Sequence, residues 1–272
     1  MSRIALRTSF LAGGVAAALA GALAQPASSP PDFSSNEVAW QQGNGGELNA
    51  VPGMPGPLNN DPAHPFVPNG RGAQPTFRIA DLSTPNLKQW AKDVMKKDND
   101  EVLAGKIGFT PSSSCKQAGV PAYWLAGGPF FFIQTPREVL IVEEGDRHAR
   151  RVYMDVPHSK NPKSSWFGES VGRYEGDTLV VDTIGFNTKT FVDNYRTPHS
   201  DKLHVVERFR MIEGGKTLEI QMSVEDPETF NAPWQAIRRY NKTEATLGEE
   251  ICQEGNFVLF DYGIPVAKQS DF

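Results

Sequence analysis

Lys216-Thr217-Leu218-Glu219-Ile220-Gln221-Met222-Ser223-Val224 decides the fold. Leu218, Ile220, Met222 and Val224 alternate with Thr217, Glu219, Gln221 and Ser223, the period-2 pattern of a strand with one buried and one wet face. Working outward, Phe130 to Thr135, Glu138 to Glu143, His148 to Asp155, Glu169 to Glu175, Thr178 to Gly185, Leu203 to Met211 and Trp234 to Tyr240 also read as strands. Turns at Gly145-Asp146, Gly176-Asp177 and Gly214-Gly215 supply residues that tolerate positive φ, as tight hairpins require. These connections predict antiparallel neighbours. No strand-helix-strand alternation follows residue 110, which disfavours a parallel Rossmann-type sheet. The expectation is a mainly β chain forming an antiparallel, up-and-down, lipocalin-like barrel, because closure removes exposed edges. A two-sheet β-sandwich is the alternative.

The segments before the strands have a different character. Arg3 and Arg7, the small apolar stretch from Phe10 to Leu23, and Ala22-Leu23-Ala24 read as an export signal cleaved after Ala24. The stretch is short and rich in Ala and Gly for a membrane span. Removing 24 of the 272 residues leaves 248. Residues 25 to 75 contain ten prolines mixed with Gly, Asn and Ser, and read as an extended N-terminal arm. Residues 76 to 272 are then the helix-plus-barrel domain. Its helix is predicted from Thr84 as cap, Pro85 at the first helical position, and an apolar stripe of Leu87, Trp90, Ala91, Val94 and Met95. That stripe is expected to pack on the barrel.

A formal charge of −5 argues against a nucleic-acid partner, which calls for a basic face. After signal cleavage no stable membrane insertion is expected, and the composition assigns no oligomeric state. The two cysteines, Cys115 and Cys252, flank the strand-rich region and are expected to pair in an oxidising periplasm. Their spacing fits no zinc motif.

Following an all-antiparallel meander, the chain leaves His148 on one rim and gathers Asp155, His158, Asp193, His199, His204, Glu225 and Asp226 on the other, among the long loops. A barrel mouth framed by long loops is a usual place for a ligand. His158 and His199 share a local phrase, Pro157-His158-Ser159 and Pro198-His199-Ser200, in which the Ser is free to bond nearby backbone or cap a turn. On the strand from Leu203, His204, Val206, Arg208 and Arg210 share one face, whereas Glu207 shares the other with Leu203, Val205, Phe209 and Met211. A carboxylate on an apolar face is a candidate acid or base, or the partner of an arginine such as Arg173. Asp182, after Val180 and Val181, is a second such carboxylate.

His158, His199, His204, Glu207 and Asp182 are therefore the candidate catalytic residues. Imidazole and carboxylate together move protons near neutral pH, which suits isomerisation, elimination or hydrolysis of a small molecule. Two alternatives are a non-catalytic ligand-binding barrel and a metal held by His158, His199 and His204. The sequence leaves any cofactor unknown, and neither a phosphate loop nor an HExxH helix is present. Gly168, Ser170 and Gly172 match G-x-S-x-G in spacing, but the segment runs into a strand rather than a strand-to-helix elbow.

Ser165 to Thr183 (SWFGESVGRYEGDTLVVDT), Pro198-His199-Ser200 and Leu203 to Phe209 (LHVVERF) resemble a large family of exported bacterial proteins usually left uncharacterised. The likeness extends to Gln134-Thr135-Pro136, Arg150 to Tyr153, both cysteine regions and the helix near Trp90. It covers nearly all of the chain beyond the arm. The resemblance implies export and a single domain, and it carries no activity.

Overall fold

Nine strands close into a ring around one aromatic core. The computed structural model describes residues 29–34, 38–42, 47–66, 78–106, 110–145, 148–249 and 251–252; the expected signal at 1–24 lies outside them. In chain order the strands are β1 (Val38–Gln42), β2 (Asn49–Ala50), β3 (Phe130–Gln134), β4 (Glu138–Glu143), β5 (Ala149–Met154), β6 (Glu169–Glu175), β7 (Thr178–Ile184), β8 (His204–Ile212), β9 (Thr217–Glu225) and β10 (Trp234–Glu244), with helix α1 (Gln89–Leu103) between β2 and β3. β3 to β10 are neighbours in sequence order, and β1 pairs with both β3 and β10. The ring is therefore a closed barrel and not a pair of sheets. β2 sits beside it, paired to the start of β10.

Two features depart from the expected meander. The segment read as a loose arm supplies β1, which bonds β10 over five residue pairs and touches β3 through Trp40 and Phe130. Its residues Ala39 and Trp40 are buried, so the arm completes the barrel. β5 and β6 run parallel, with Val152 opposite Ser170 and Met154 opposite Gly172. Residues 155–168 accordingly travel back along the barrel instead of turning. This reverses the assignment of rims: Asp155 leaves at the end opposite the long loops, where its N–H donates to Gly172 O at 2.8 Å, and His148 precedes β5 at the same end as the 185–203 and 226–233 connections.

The hairpin from β6 to β7 has Gly176 at φ 63° as the first of its two turn residues. That backbone sign matches the twist of the flanking strands. At the other end of β6, Gly168 has φ 66°, and a Cβ there would lie 2.5 Å from Ile184 O. Only glycine lets β6 begin this close to β7, and this placement aims Glu169 at the site described below.

The barrel interior is filled. A 3-10 turn at Ala122–Leu125 carries Trp124 inside, with ring centroids 4.8 Å from Phe130, 5.4 Å from Phe209 and 6.0 Å from Tyr240. Tyr240 donates its hydroxyl proton to Trp124 O. Phe33 packs 5.6 Å from Phe132, and Trp40 Nε1–H donates to Phe33 O at 3.0 Å.

α1 starts later than expected. Asn86 Oδ1 accepts from Ala232 N at 2.9 Å, and Asn231 Nδ2 donates to Pro85 O at 2.7 Å. These contacts hold residues 85–86 against the 226–233 connection and keep them out of the helix. The buried stripe is Ala91, Met95, Asn99 and Val102, whereas Trp90 and Val94 are 40% and 41% exposed. A disulfide joins Cys115 to Cys252. Among the described residues no helix is long and apolar enough to cross a membrane.

Candidate functional site

Three of the five candidate residues meet, and they do so on the outer wall. In β7, Val181 and Thr183 are fully buried and face inward, so Asp182 faces out, level with Val171 of β6 and Val206 of β8. His204 shares the outward face of β8 with Val206. Its Nε2 lies 2.9 Å from Asp182 Oδ1, and His158 Nε2 lies 3.0 Å from the same oxygen. The returning segment 155–168 delivers His158 from the side. His158 Nδ1 is 3.1 Å from Glu169 Oε1, so both ring nitrogens face carboxylates, and only a ring carrying both N–H groups donates to both.

The electrostatics follow from these contacts. The hydrogen bond to Asp182 raises the His204 pKa above 6.5, against partial desolvation and with help from Glu225, its cross-strand partner. The bond from His204 likewise holds the Asp182 pKa below 3.8, burial opposing it and His158 adding to it. For Glu169, burial pulls upward, but donation from Ser159 and His158 prevails and its pKa is lowered. His204, Asp182 and His158 side chains are 35%, 32% and 22% exposed, so the cluster is reachable from solvent.

Glu207 is elsewhere. It faces inward from β8 and is fully buried with Arg150, which faces inward from β5. Arg150 Nη1 donates to Glu207 Oε1 at 2.9 Å, and Nη2 donates to Oε2 and, at 2.9 Å, to Thr183 Oγ1. Trp124 Nε1–H also donates to Glu207. Ser170 accepts from Arg150 and bonds Thr183 at 3.0 Å, so it is a strand residue inside the barrel and no exposed nucleophile. The partner of Glu207 is Arg150, not Arg173, which lies outside and pairs with Glu175. Glu207 thus belongs to a satisfied buried network, apart from the outer-wall cluster.

His199 is also apart from the cluster. It is 3% exposed within the 185–203 connection. Its Nδ1–H donates to Ser200 O at 2.8 Å, which leaves Nε2 to accept from Thr190 Oγ1 at 2.7 Å. Burial lowers its pKa, so the ring is neutral, with both nitrogens engaged. The two Pro-His-Ser phrases share a different device. Ser159 N and Oγ both donate to Glu169, each at 2.8 Å, and Ser200 N and Oγ both donate to Asp226, at 2.6 and 2.8 Å. In each phrase the serine ties a connection to a distant carboxylate. Of the other expected rim residues, Asp193 bonds Thr197 and Tyr195 within its own loop.

No group of three or more His, Cys, Asp or Glu side chains among the described residues is arranged to hold a metal ion. Glu169 and Arg150 are the additions that sequence reasoning missed. Arg150 was detectable, since Arg150, Val152 and Met154 share one face of β5 just as Glu207 shares an apolar face of β8. No protein-family model, curated protein or solved structure matches this chain.

Proposed function

We propose that the protein is an exported acid-base catalyst acting on a small organic molecule at the outer-wall cluster, with His204 as the proton-transfer group and Asp182 as its positioning partner. The observation that carries this reading is the contact of His204 Nε2 with Asp182 Oδ1 at 2.9 Å, in which the carboxylate favours a proton on Nε2 and leaves Nδ1 outside the bond. The bond to Asp182 raises the His204 pKa above its ordinary 6.5, and an imidazole serves both as acid and as base. The Glu169 carboxylate, in contact with His158, supplies a negative charge close by. Isomerisation, elimination and hydrolysis all need this proton transfer, so the substrate determines which occurs. Export is supported by the signal-like residues 1–24 and by a disulfide, which persists in oxidising compartments.

The test uses an activated ester, 4-nitrophenyl acetate, as a proton-transfer probe. The purified chain is expected to hydrolyse it faster than the same concentration of free imidazole. His204→Gln should remove that excess with the melting temperature retained, and Asp182→Asn should reduce it. A wild-type rate equal to imidazole, or an unchanged rate in His204→Gln, overturns the assignment.

A further inference from the structure

The outward face of β7 passes between two charged groups. Asp182 stands between Val171 and Val206, and two residues along the strand Val180 stands between Arg173 of β6 and Arg208 of β8. As two imidazoles meet at one oxygen of Asp182, so these two arginines meet at one carboxylate, that of Glu175. Arg173 Nε and Nη2 donate to Glu175 Oε1 at 3.0 and 2.6 Å, and Arg208 Nη2 donates to Oε2 at 2.8 Å. Val180 faces outward yet is only 2% exposed, while the arginine side chains are 58% and 43% exposed. That is the expected result when long cationic side chains lay their stems along an apolar neighbour and keep their heads in water. Among the described residues Arg208 donates through Nη2 alone, so its Nε and Nη1 remain for a ligand. The nearby acidic groups are engaged elsewhere: Asp177 accepts from Thr178 Oγ1 in the hairpin, and Asp155 lies with Asp32 near Tyr174.

We infer that Arg173 and Arg208 recognise the negative end of the substrate, a small organic anion whose carboxylate lies over Val180 while its reacting centre meets His204. This names the substrate class of the outer-wall site and rests on the proton-transfer reading of His204. The spacing suits such a molecule. Val180 is two residues from Asp182 on β7, and Thr178, the partner of Glu175, is four, so the guanidiniums stand roughly 7–13 Å along the wall from Asp182. The polarity suits it too. Glu169, Asp182 and Glu225 gather at the imidazole end and repel a carboxylate, whereas the arginine end attracts one, so an anion charged at one end binds in one direction. Val171, Val206 and Val180 supply apolar ground between the two ends. A guanidinium fork matches a carboxylate with two parallel hydrogen bonds, which a neutral group of the same length does not repay.

The experiment compares two activated esters on the full disulfide-bonded chain: the mono-4-nitrophenyl ester of suberic acid, with a free carboxylate at its far end, and the neutral methyl ester of the same compound. Free imidazole gives the reference ratio. The protein is expected to favour the anionic ester several-fold in kcat/KM relative to imidazole, mainly through KM, and high salt should weaken that preference. The double variant Arg173→Gln with Arg208→Gln should return the ratio to the imidazole value with its melting temperature retained. A wild-type ratio equal to that of imidazole, with both esters still hydrolysed faster than by imidazole, overturns the anion site and leaves the His204 reading standing. An unchanged ratio in the double variant overturns it as well. If neither ester outruns imidazole, the His204 reading has failed, and calorimetry with monomethyl suberate, which carries no activated ester, decides the anion site: binding lost in the double variant supports it, and no binding to the wild type overturns it.

Discussion

Asp182 is the residue on which the candidate chemistry turns, because one of its oxygens receives both imidazoles. Linkage gives the sign of its effect on stability. His204 has a folded-state pKa above its ordinary 6.5, so its contribution is complete below that value and is lost as pH rises through the folded pKa. Asp182 has a folded-state pKa below 3.8, so its contribution is complete above that value and is lost as pH falls through the folded pKa. The pair is strongest between these limits. Asp182→Asn removes the largest cause of the His204 shift and leaves burial to act against the Glu225 charge. The His204 midpoint, followed by proton NMR of the ring across pH, is therefore expected to fall in the variant. An unmoved midpoint would show that the two side chains do not meet in solution. His199 illustrates how similar residues diverge: the same Pro-His-Ser phrase that leaves His158 between carboxylates places His199 in a dry loop, where burial keeps it neutral.

Among the elements, β5, β6, β7 and β8 are linked across the interior by one polar network, Arg150, Ser170, Thr183 and Glu207, with Trp124 closing it from the 3-10 turn. Removing one partner of a buried ion pair leaves the other charge unpaired, at a cost of about 3–5 kcal/mol. Glu207→Ala is expected to lose that much in urea denaturation, while the double change Arg150→Met with Glu207→Leu should recover most of it. Equal losses in the single and double variants would mean that cavity formation, not the stranded charge, sets the cost. Strands with a period-2 pattern, such as Leu218 to Val224, were legible directly, whereas β3, β4 and β7 were legible as short continuous apolar runs bounded by turn residues. β1 was hidden because Val38-Ala39-Trp40 is short and lies among Pro- and Gly-rich residues. The parallel pairing of β5 with β6 was readable only from length. Residues 155–168 are far more than a hairpin needs and long enough for a parallel crossover, but they hold no helix to advertise one. The alternation along β8 already separated His204 from Glu207, and hence the outer cluster from the inner network. It did not reveal that the interior is occupied by Trp124, a residue distant in sequence that no pattern ties to Glu207.

At the scale of the whole molecule, the barrel is closed twice. β1 closes it through hydrogen bonds, and the Cys115–Cys252 bridge closes it through the chain, enclosing β3 to β10 in a loop whose ends are 137 residues apart. A cross-link this long acts chiefly by limiting the unfolded ensemble, and loop-closure entropy puts its contribution at about 5 kcal/mol. For a chain of this size each kcal/mol moves the melting temperature by about 2–4 °C. Cys115→Ser with Cys252→Ser is therefore expected to melt about 10–20 °C lower. Its circular dichroism at 20 °C should be unchanged, since β3 to β10 keep their ladders without the bridge.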